Sequence, residues 1–315
     1  VERVIAALDI GGTKIAAGMV SEEGGILCRL ESRTEPERGF EDAAKRMAAM
    51  LREACRRADV LISGIGIGCT GPVDPLTGII GNVDFLPGWE GGNLADVFSK
   101  EFQVPVAVEN DADAAALGEA GWGSGRGRRH FIYVTISTGI GGGIILEGKL
   151  YRGVGGAHPE IGHHVIDPAG PLCFCGAHGC WERLASGPAM AEWLESQLHP
   201  EERRLTPPDA RVICEHAALG DELCRKAVER EAFYLGLGLA NLVTLYTPDA
   251  IALGGGVMRS AHLFLEGARG VIRQNCGLVP FEKTEILLAS LGPDTALAGA
   301  ARAWFHRYGE ETTGI

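Results

Sequence analysis

Apolar positions along the chain keep two rhythms, and the changes from one to the other mark out its elements. Residues 3–8 (RVIAAL) are a short apolar run, Gly11 and Gly12 a turn, residues 15–20 (IAAGMV) a second run and residues 26–31 a third. Apolar runs bounded by turn residues predict strands, here joined in antiparallel fashion. From 40 to 58 the residues Phe40, Ala43, Ala44, Met47, Met50, Leu51 and Ala54 return at intervals of three and four, which predicts a helix. VLISGIGIG at 60–68 predicts a buried strand, so that helix must cross over the sheet. A turn-rich stretch with Pro72, Pro75, Gly78, Gly81, Pro87 and Gly88 leads to a short helix near 93–102 and to the strand VPVAVEN, which ends at Asn110 and Asp111.

The pattern then begins again. HFIYVTIST at 130–138 restarts the sequence of strand, glycine turn and strand, and GGGIILEGKLYRG returns it as a hairpin. Residues 220–246 suit a long buried helix, AIALGGGV at 250–257 a strand running into glycines, and 294–308 a closing helix. The Pro-rich and charged piece at 199–209 predicts an exposed loop. The halves read as approximate copies, and strands alternating with helices after an antiparallel hairpin predict an α/β fold of mixed sheets flanked by helices. A chain of 315 residues exceeds the usual single domain, so two lobes are expected, residues 1–115 with 296–315, and residues 116–295.

Composition narrows the function. Hydrophobic residues at 46% and charged residues at 22% are ordinary for a globular protein, but 46 glycines are about twice average usage and require many tight turns or close backbone approaches. A net charge of -12 repels the phosphate backbone of nucleic acid, so nucleic acid is not an expected partner. Arg126, Arg128, Arg129 and His130 form a basic cluster that reads as a solvated loop. No apolar run reaches the roughly 18 to 20 residues of a membrane helix, and the N-terminus lacks the apolar core of a signal peptide. A membrane is therefore not an expected partner, and the expected location is cytoplasmic. Nine cysteines suit a disulfide framework poorly. Six are scattered and read as small hydrophobes, while Cys173, Cys175 and Cys180 cluster.

Five strings carry chemistry. In LDIGGTK, Gly11 and Gly12 let backbone N–H groups approach a phosphate, Thr13 adds a hydroxyl beside Lys14, and Asp9 could hold Mg2+; an ordinary glycine hairpin would look the same. STGIGGG repeats the arrangement with Ser137, Thr138, Gly139, Gly141, Gly142 and Gly143, and two such turns could clamp one polyphosphate. Gly254, Gly255 and Gly256 would offer a flat backbone surface to adenine and ribose, or merely end a strand. With neither a GxxxxGK[ST] loop nor a GxGxxG fingerprint with a spaced acid, the nucleotide site is of another design. Asp111 stands at the carboxyl end of a strand, where ligands bind in such sheets, although Asn110 or Asp111 could simply cap the next helix. A carboxylate that accepts a hydroxyl proton is what phosphoryl transfer to an alcohol needs, and Asp113 is a weaker candidate for it.

The most specific string is Glu160-Ile-Gly-His163, then nine residues, then Cys173-Phe-Cys175-Gly-Ala-His-Gly-Cys180-Trp-Glu182. One imidazole and three thiolates make the closed ligand set of structural zinc. His164 and His178 read as exposed neighbours. Glu160 and Glu182 bracket the ligands, and carboxylates held at a fixed spacing suit sugar hydroxyls, though solvated acids would look alike.

DIGGTK at 9–14, ENDADAAALGE at 109–119, STGIGGG at 137–143, EIGH at 160–163, CFCGAHGCWE at 173–182 and LGGG at 253–256 together resemble the ROK family of repressors, open reading frames and kinases, over nearly the whole chain. The resemblance implies a two-lobed, actin-like or hexokinase-type (ribonuclease H-like) fold, with ATP and sugar meeting between lobes whose closure excludes water. It implies Asp111 as catalytic base, and Asn110, Glu160, His163 and Glu182, with Asn82 and Gly71 in the N-lobe loops, as sugar contacts. His163 would use one ring nitrogen on zinc and the other on the sugar. It also implies ATP, Mg2+ and structural Zn2+ as cofactors, and a homodimer. Two departures bear on the sugar: family kinases often carry Asn where Asp113 stands, and glucokinase-like members often have Ala-Gly where His158-Pro159 precede Glu160.

The expected activity is ATP-dependent phosphorylation of a hexose at its 6-hydroxyl, with glucose first because GNVDFLPGWEG at 81–91 resembles the glucokinase form of that loop. N-acetylmannosamine, N-acetylglucosamine, fructose and allose are the alternatives. A sugar-responsive repressor is the rival of another class, disfavoured by the eight residues before Asp9 and by the net charge of -12.

Overall fold

In the computed structural model, which describes residues 3–199, 201 and 208–309, β1 (Val4–Ile10) is buried along its length except at Asp9. The loop expected at 199–209 lies largely outside the described residues. β1 pairs antiparallel with β2 (Lys14–Ser21), which pairs antiparallel with β3 (Ile26–Arg33). On its other side β1 lies parallel to β4 (Gly64–Cys69), and β4 parallel to β5 (Val106–Asn110), giving the order β3-β2-β1-β4-β5. The fourth strand starts at Gly64 rather than at 60. Asp59 closes the preceding helix in the left-handed region at φ 53°, and residues 60–63 bring the chain back to the sheet, where the Ser63 N–H donates to the Val4 carbonyl.

A second sheet contains β6 (Phe131–Ile136), β7 (Ile140–Leu146), β8 (Lys149–Leu150), β9 (Ala250–Gly254) and β10 (Glu285–Leu288), in the order β10-β9-β6-β7-β8. Read as 8-7-6-9-10, it repeats 3-2-1-4-5, with β9 parallel to both β6 and β10 as β4 is to β1 and β5. Glu147 and Gly148 make the tight β7–β8 turn, both with positive φ, as a two-residue hairpin that follows the strand twist requires.

The helices are α1 (Phe40–Ala58), α2 (Leu94–Phe102), α3 (Asp111–Trp122), α4 (Trp181–Ala185), α5 (Gly187–Ser196), α6 (Ala210–Leu219), α7 (Glu222–Tyr246), α8 (Leu265–Asn275) and α9 (Thr295–Tyr308). Among the described residues, none is long and apolar enough to cross a membrane.

The chain forms two compact units: the described residues within Val1–Gly127, Gly143–Pro159 and Ala289–Ile315, and those within Arg128–Gly142 and Glu160–Leu288. In the first unit both faces of the sheet are covered. Leu8, Ile10, Ile67 and Val108 pack with Met47, Leu51 and Phe98 of α1 and α2, whereas Ile5, Ala7 and Ala107 pack with Leu297, Ala301 and Trp304 of α9. Burial on two faces is why β1 and β4 read as unbroken apolar runs.

Candidate active site

In the first unit the sheet register decides what meets at its edge. Asp9 lies level with Gly68 and Gly68 with Glu109, while Ile10, Cys69 and Asn110 form the next rung. Three parallel strands therefore end together and bring Asp9, Thr70, Asn110 and Asp111 to one carboxyl edge, where open α/β sheets bind ligands. Asn110 is the cap of α3: its Oδ1 accepts the N–H groups of Ala112 at 2.9 Å and Asp113 at 3.4 Å, and its Nδ2 donates to the Gly71 carbonyl at 3.4 Å. Capping thus falls to Asn110, and Asp111 opens the helix half-buried, with Oδ1 accepting the Ala112 N–H at 2.8 Å.

Burial raises the proton affinity of Asp111, and the Asp113 charge adds to it; the Ala112 N–H, His158 and the Thr70 hydroxyl oppose this. Asp9 is pushed up to about 7 by burial and then by the charge of Asp111, against the pull of Lys14 and Arg29. These are two carboxyls in each other's field, each disposed to take a proton.

The glycine turn between β1 and β2 is held by a residue that no motif marks. Thr34, fully buried, donates its hydroxyl to the Gly11 carbonyl at 2.6 Å and its N–H to the Thr13 carbonyl at 3.0 Å. Lys14 is exposed and paired with Glu31 at 3.0 Å. Phe85 packs against Gly12, where an added Cβ would come within 3.3 Å of the Phe85 Cβ. Gly71 has φ 78°, which favours glycine there, and Asn82 is exposed.

In the second unit the β6–β7 turn and the glycines after β9 lie together. The Ser137 N–H donates to the Gly139 carbonyl at 2.8 Å, and a Cβ on Gly256 would come within 3.5 Å of the Ser137 Oγ. Gly255 takes φ 93° with its α-carbon against the Ile136 carbonyl, a place a side chain would fill. Thr138 is exposed at the turn. Glu182 ties this turn to the cysteine loop, because its Oε2 accepts the Ile140 N–H at 2.9 Å. Glu160 is exposed.

His163, Cys173, Cys175 and Cys180 converge, with their ligand atoms all within 4.8 Å of one another. The Cys173 Sγ is 3.5 Å from the His163 Nδ1, and the Cys175 Sγ is 3.5 Å from the Cys180 Sγ. A zinc tetrahedron with bonds of about 2.3 Å to sulfur and 2.0 Å to nitrogen has edges of about 3.5 to 3.8 Å, so the donor set fits that ion. Burial, and then the neighbouring sulfurs, push the Cys180 thiol up to about 12, a cost a divalent cation among them would remove. With Nδ1 facing the sulfurs, Nε2 of His163 is the nitrogen left for another partner.

His164 is not the exposed neighbour expected from sequence. It is half-buried, its ring 5.4 Å from that of Trp181 and its Nδ1 2.5 Å from the Ile161 carbonyl, because the turn after His163 folds it back onto α4. His178 is exposed, as expected. A cavity of about 320 Å³ lined by Val243, Arg269, Ile272, Arg273, Phe281 and Ile286 shares no residue with these groups.

A model of the ROK family matches residues 5–307. The chain belongs to the ROK family. Among its relatives, a glucokinase from Thermotoga maritima is 32% identical over 311 residues, covering 96% of this chain and 97% of the relative. A glucokinase from Streptomyces coelicolor is 37% identical over 318 residues, covering 93% and 95%. The crystal structure of a ROK glucokinase from Streptomyces griseus in complex with glucose and AMPPNP superposes with a TM-score of 0.79 at 34% identity, covering 96% of this chain and 98% of that one. The two mixed sheets flanked by helices are thus the hexokinase-type architecture that the ROK resemblance implied.

Proposed function

We propose that this ROK protein is an ATP-dependent glucokinase in which Asp111 takes the proton from the sugar 6-hydroxyl as the γ-phosphoryl group of ATP is transferred to that oxygen. The observation that carries the reading is the half-buried Asp111 carboxylate at the common carboxyl edge of β1, β4 and β5, in a chain 32–37% identical to glucokinases over nearly its full length. Burial and the nearby acids favour the protonated form, which suits a group that must accept a proton while the attacking oxygen gains its bond to phosphorus. Asn110 caps α3 and donates to the Gly71 carbonyl, which ties the start of the helix that carries Asp111 to the sheet edge.

For the sugar we assign Asn110, Glu160, His163 and Glu182, with Asn82 and Gly71 beside them. For the nucleotide we assign Asp9, Gly11, Gly12, Thr13, Lys14, Thr138, Gly139, Gly254, Gly255 and Gly256. Mg2+ bound with ATP supplies positive charge to the phosphates, and Asp9, disposed to hold a proton by burial and then by the field of Asp111, is the acid such a charge would ionise. Structural zinc on His163, Cys173, Cys175 and Cys180 would fix Glu182 through the rigid loop. A cytoplasmic homodimer completes the reading; the metal-spaced cysteine cluster supports the reducing compartment and family resemblance the dimer.

The test is Asp111→Asn, assayed by coupled ADP release with glucose and a dozen other hexoses and hexosamines. Turnover is expected to fall by about a thousandfold or more while glucose binding persists. Near wild-type turnover with intact binding would remove Asp111 from the role, and a wild-type protein inactive on every sugar would remove the kinase reading altogether.

A further inference from the structure

The segment 143–159, which belongs to the first unit, brings two basic side chains onto the two acids that flank Asn110 and Asp111. Glu109, one residue before the pair and 2% exposed, accepts from the Arg152 guanidinium through Oε1. Asp113, two residues after Asp111 and 2% exposed, has its Oδ2 2.9 Å from the His158 Nδ1. Glu109 Oε2, Asp113 Oδ1 and Arg152 Nε are buried with no hydrogen-bond partner among the described residues. A cluster built only to staple a loop would be expected to satisfy those atoms.

The groups acting on Asp111 come from every element around it. Asp9 faces it from β1, Cys69 from the end of β4 and Asp113 from its own helix, while the Thr70 hydroxyl and the Ala112 N–H donate to it. His158, when protonated, brings positive charge to this set, and Arg152 and Arg307 act one step away, on Glu109.

We propose that His158 and Asp113 form a positioning pair for Asp111: Asp113 holds the imidazole in place, His158 supplies the charge that offsets the acids around the base, and Arg152 on Glu109 anchors the segment that delivers it. The pair rests on Asp111 being the base. It makes His158 more than a loop residue next to Glu160, since its loss leaves Asp113 as a buried, uncompensated charge two residues from the reacting group.

A double-mutant cycle of His158→Ala, Asp113→Asn and the two combined tests the pair. With glucose as substrate, His158→Ala is expected to lower kcat at pH 7 by about tenfold or more, leave KM for ATP within about twofold, and move the acid limb of the pH profile upward. The combined variant, with neither charge present, is expected to regain most of that loss, and the His158 imidazole, followed by NMR, to titrate at lower pH in Asp113→Asn than in wild type. His158→Gln, which keeps the volume and loses the charge, replaces the alanine variant should that one fail to fold, and thermal midpoints are recorded for each. A folded His158 variant with wild-type kcat and pH profile overturns the pair, as does a combined variant that is simply the sum of the two singles. An inactive wild type, or an active Asp111→Asn, instead sinks the base assignment itself, so the two failures are distinct.

Discussion

Two fully buried glutamates are treated in opposite ways. Glu119 on α3 accepts the N–H groups of Ser124, Ser290 and Leu291 and the hydroxyls of Ser124, Ser290 and Thr295, which fastens the helix behind Asp111 to the turn before α9. Glu231 on α7 is also 0% exposed, but both its carboxylate oxygens lack a partner among the described residues, and burial raises its proton affinity well above the usual value. Its folded-state pKa lies above the unfolded one, so its share of stability is complete below the ordinary glutamate range and is lost as pH rises through the folded value. Glu231→Gln should flatten the pH dependence of the urea midpoint between pH 5 and 8, and Glu231→Met should stabilise the protein at pH 8 by about 1–3 kcal/mol. Identical pH dependence in wild type and Glu231→Gln would contradict this. The burial was within reach of the sequence, since Glu231 stands three and four residues beyond the apolar Val228 and Ala227; its lack of a partner was not, because that depends on what the neighbouring helices present.

Helix limits were legible where one face is apolar and one polar. The three- and four-residue spacing at 40–58 corresponds to α1, whose buried face is Ala43, Ala44, Met47, Ala48, Leu51 and Ala54. α3 gave no such signal, because it is buried on nearly all sides from Ala112 to Glu119. Its closeness to α9 is made by missing side chains: a Cβ on Gly299 would sit 2.3 Å from the Ala114 carbonyl oxygen, and one on Gly118 would sit 2.9 Å from the Gly299 α-carbon. Gly299→Ala must push α9 away from the helix that begins with Asp111. We expect a loss of about 1–3 kcal/mol or more in stability by denaturant melts and a lower kcat in the folded fraction. An unshifted midpoint would show that the helices can separate at no cost.

At the scale of the whole molecule, metal removal tests how the second unit is held. The zinc reading predicts about one zinc per chain by metal analysis. Chelation, or Cys175→Ser, should lower the thermal midpoint by about 5 °C or more, roughly 2 kcal/mol for a chain of this size, and weaken glucose binding through Glu182. A metal-free protein with an unchanged midpoint would refute the assignment. Much of the molecule follows from the sequence alone, because local pattern fixes it: apolar runs make the strands, the halves repeat, and a His and three Cys at metal spacing converge in one loop. Tertiary structure decided the rest, because register and burial are properties of neighbours. Only the pairing of β1, β4 and β5 brings Asp9 and Asp111 to one sheet edge, and only folding of 143–159 into the first unit sets His158 on Asp113. Likewise Thr34, with no motif around it, holds the glycine turn because β3 lies next to β2, and a contact between strands has no trace in either strand by itself.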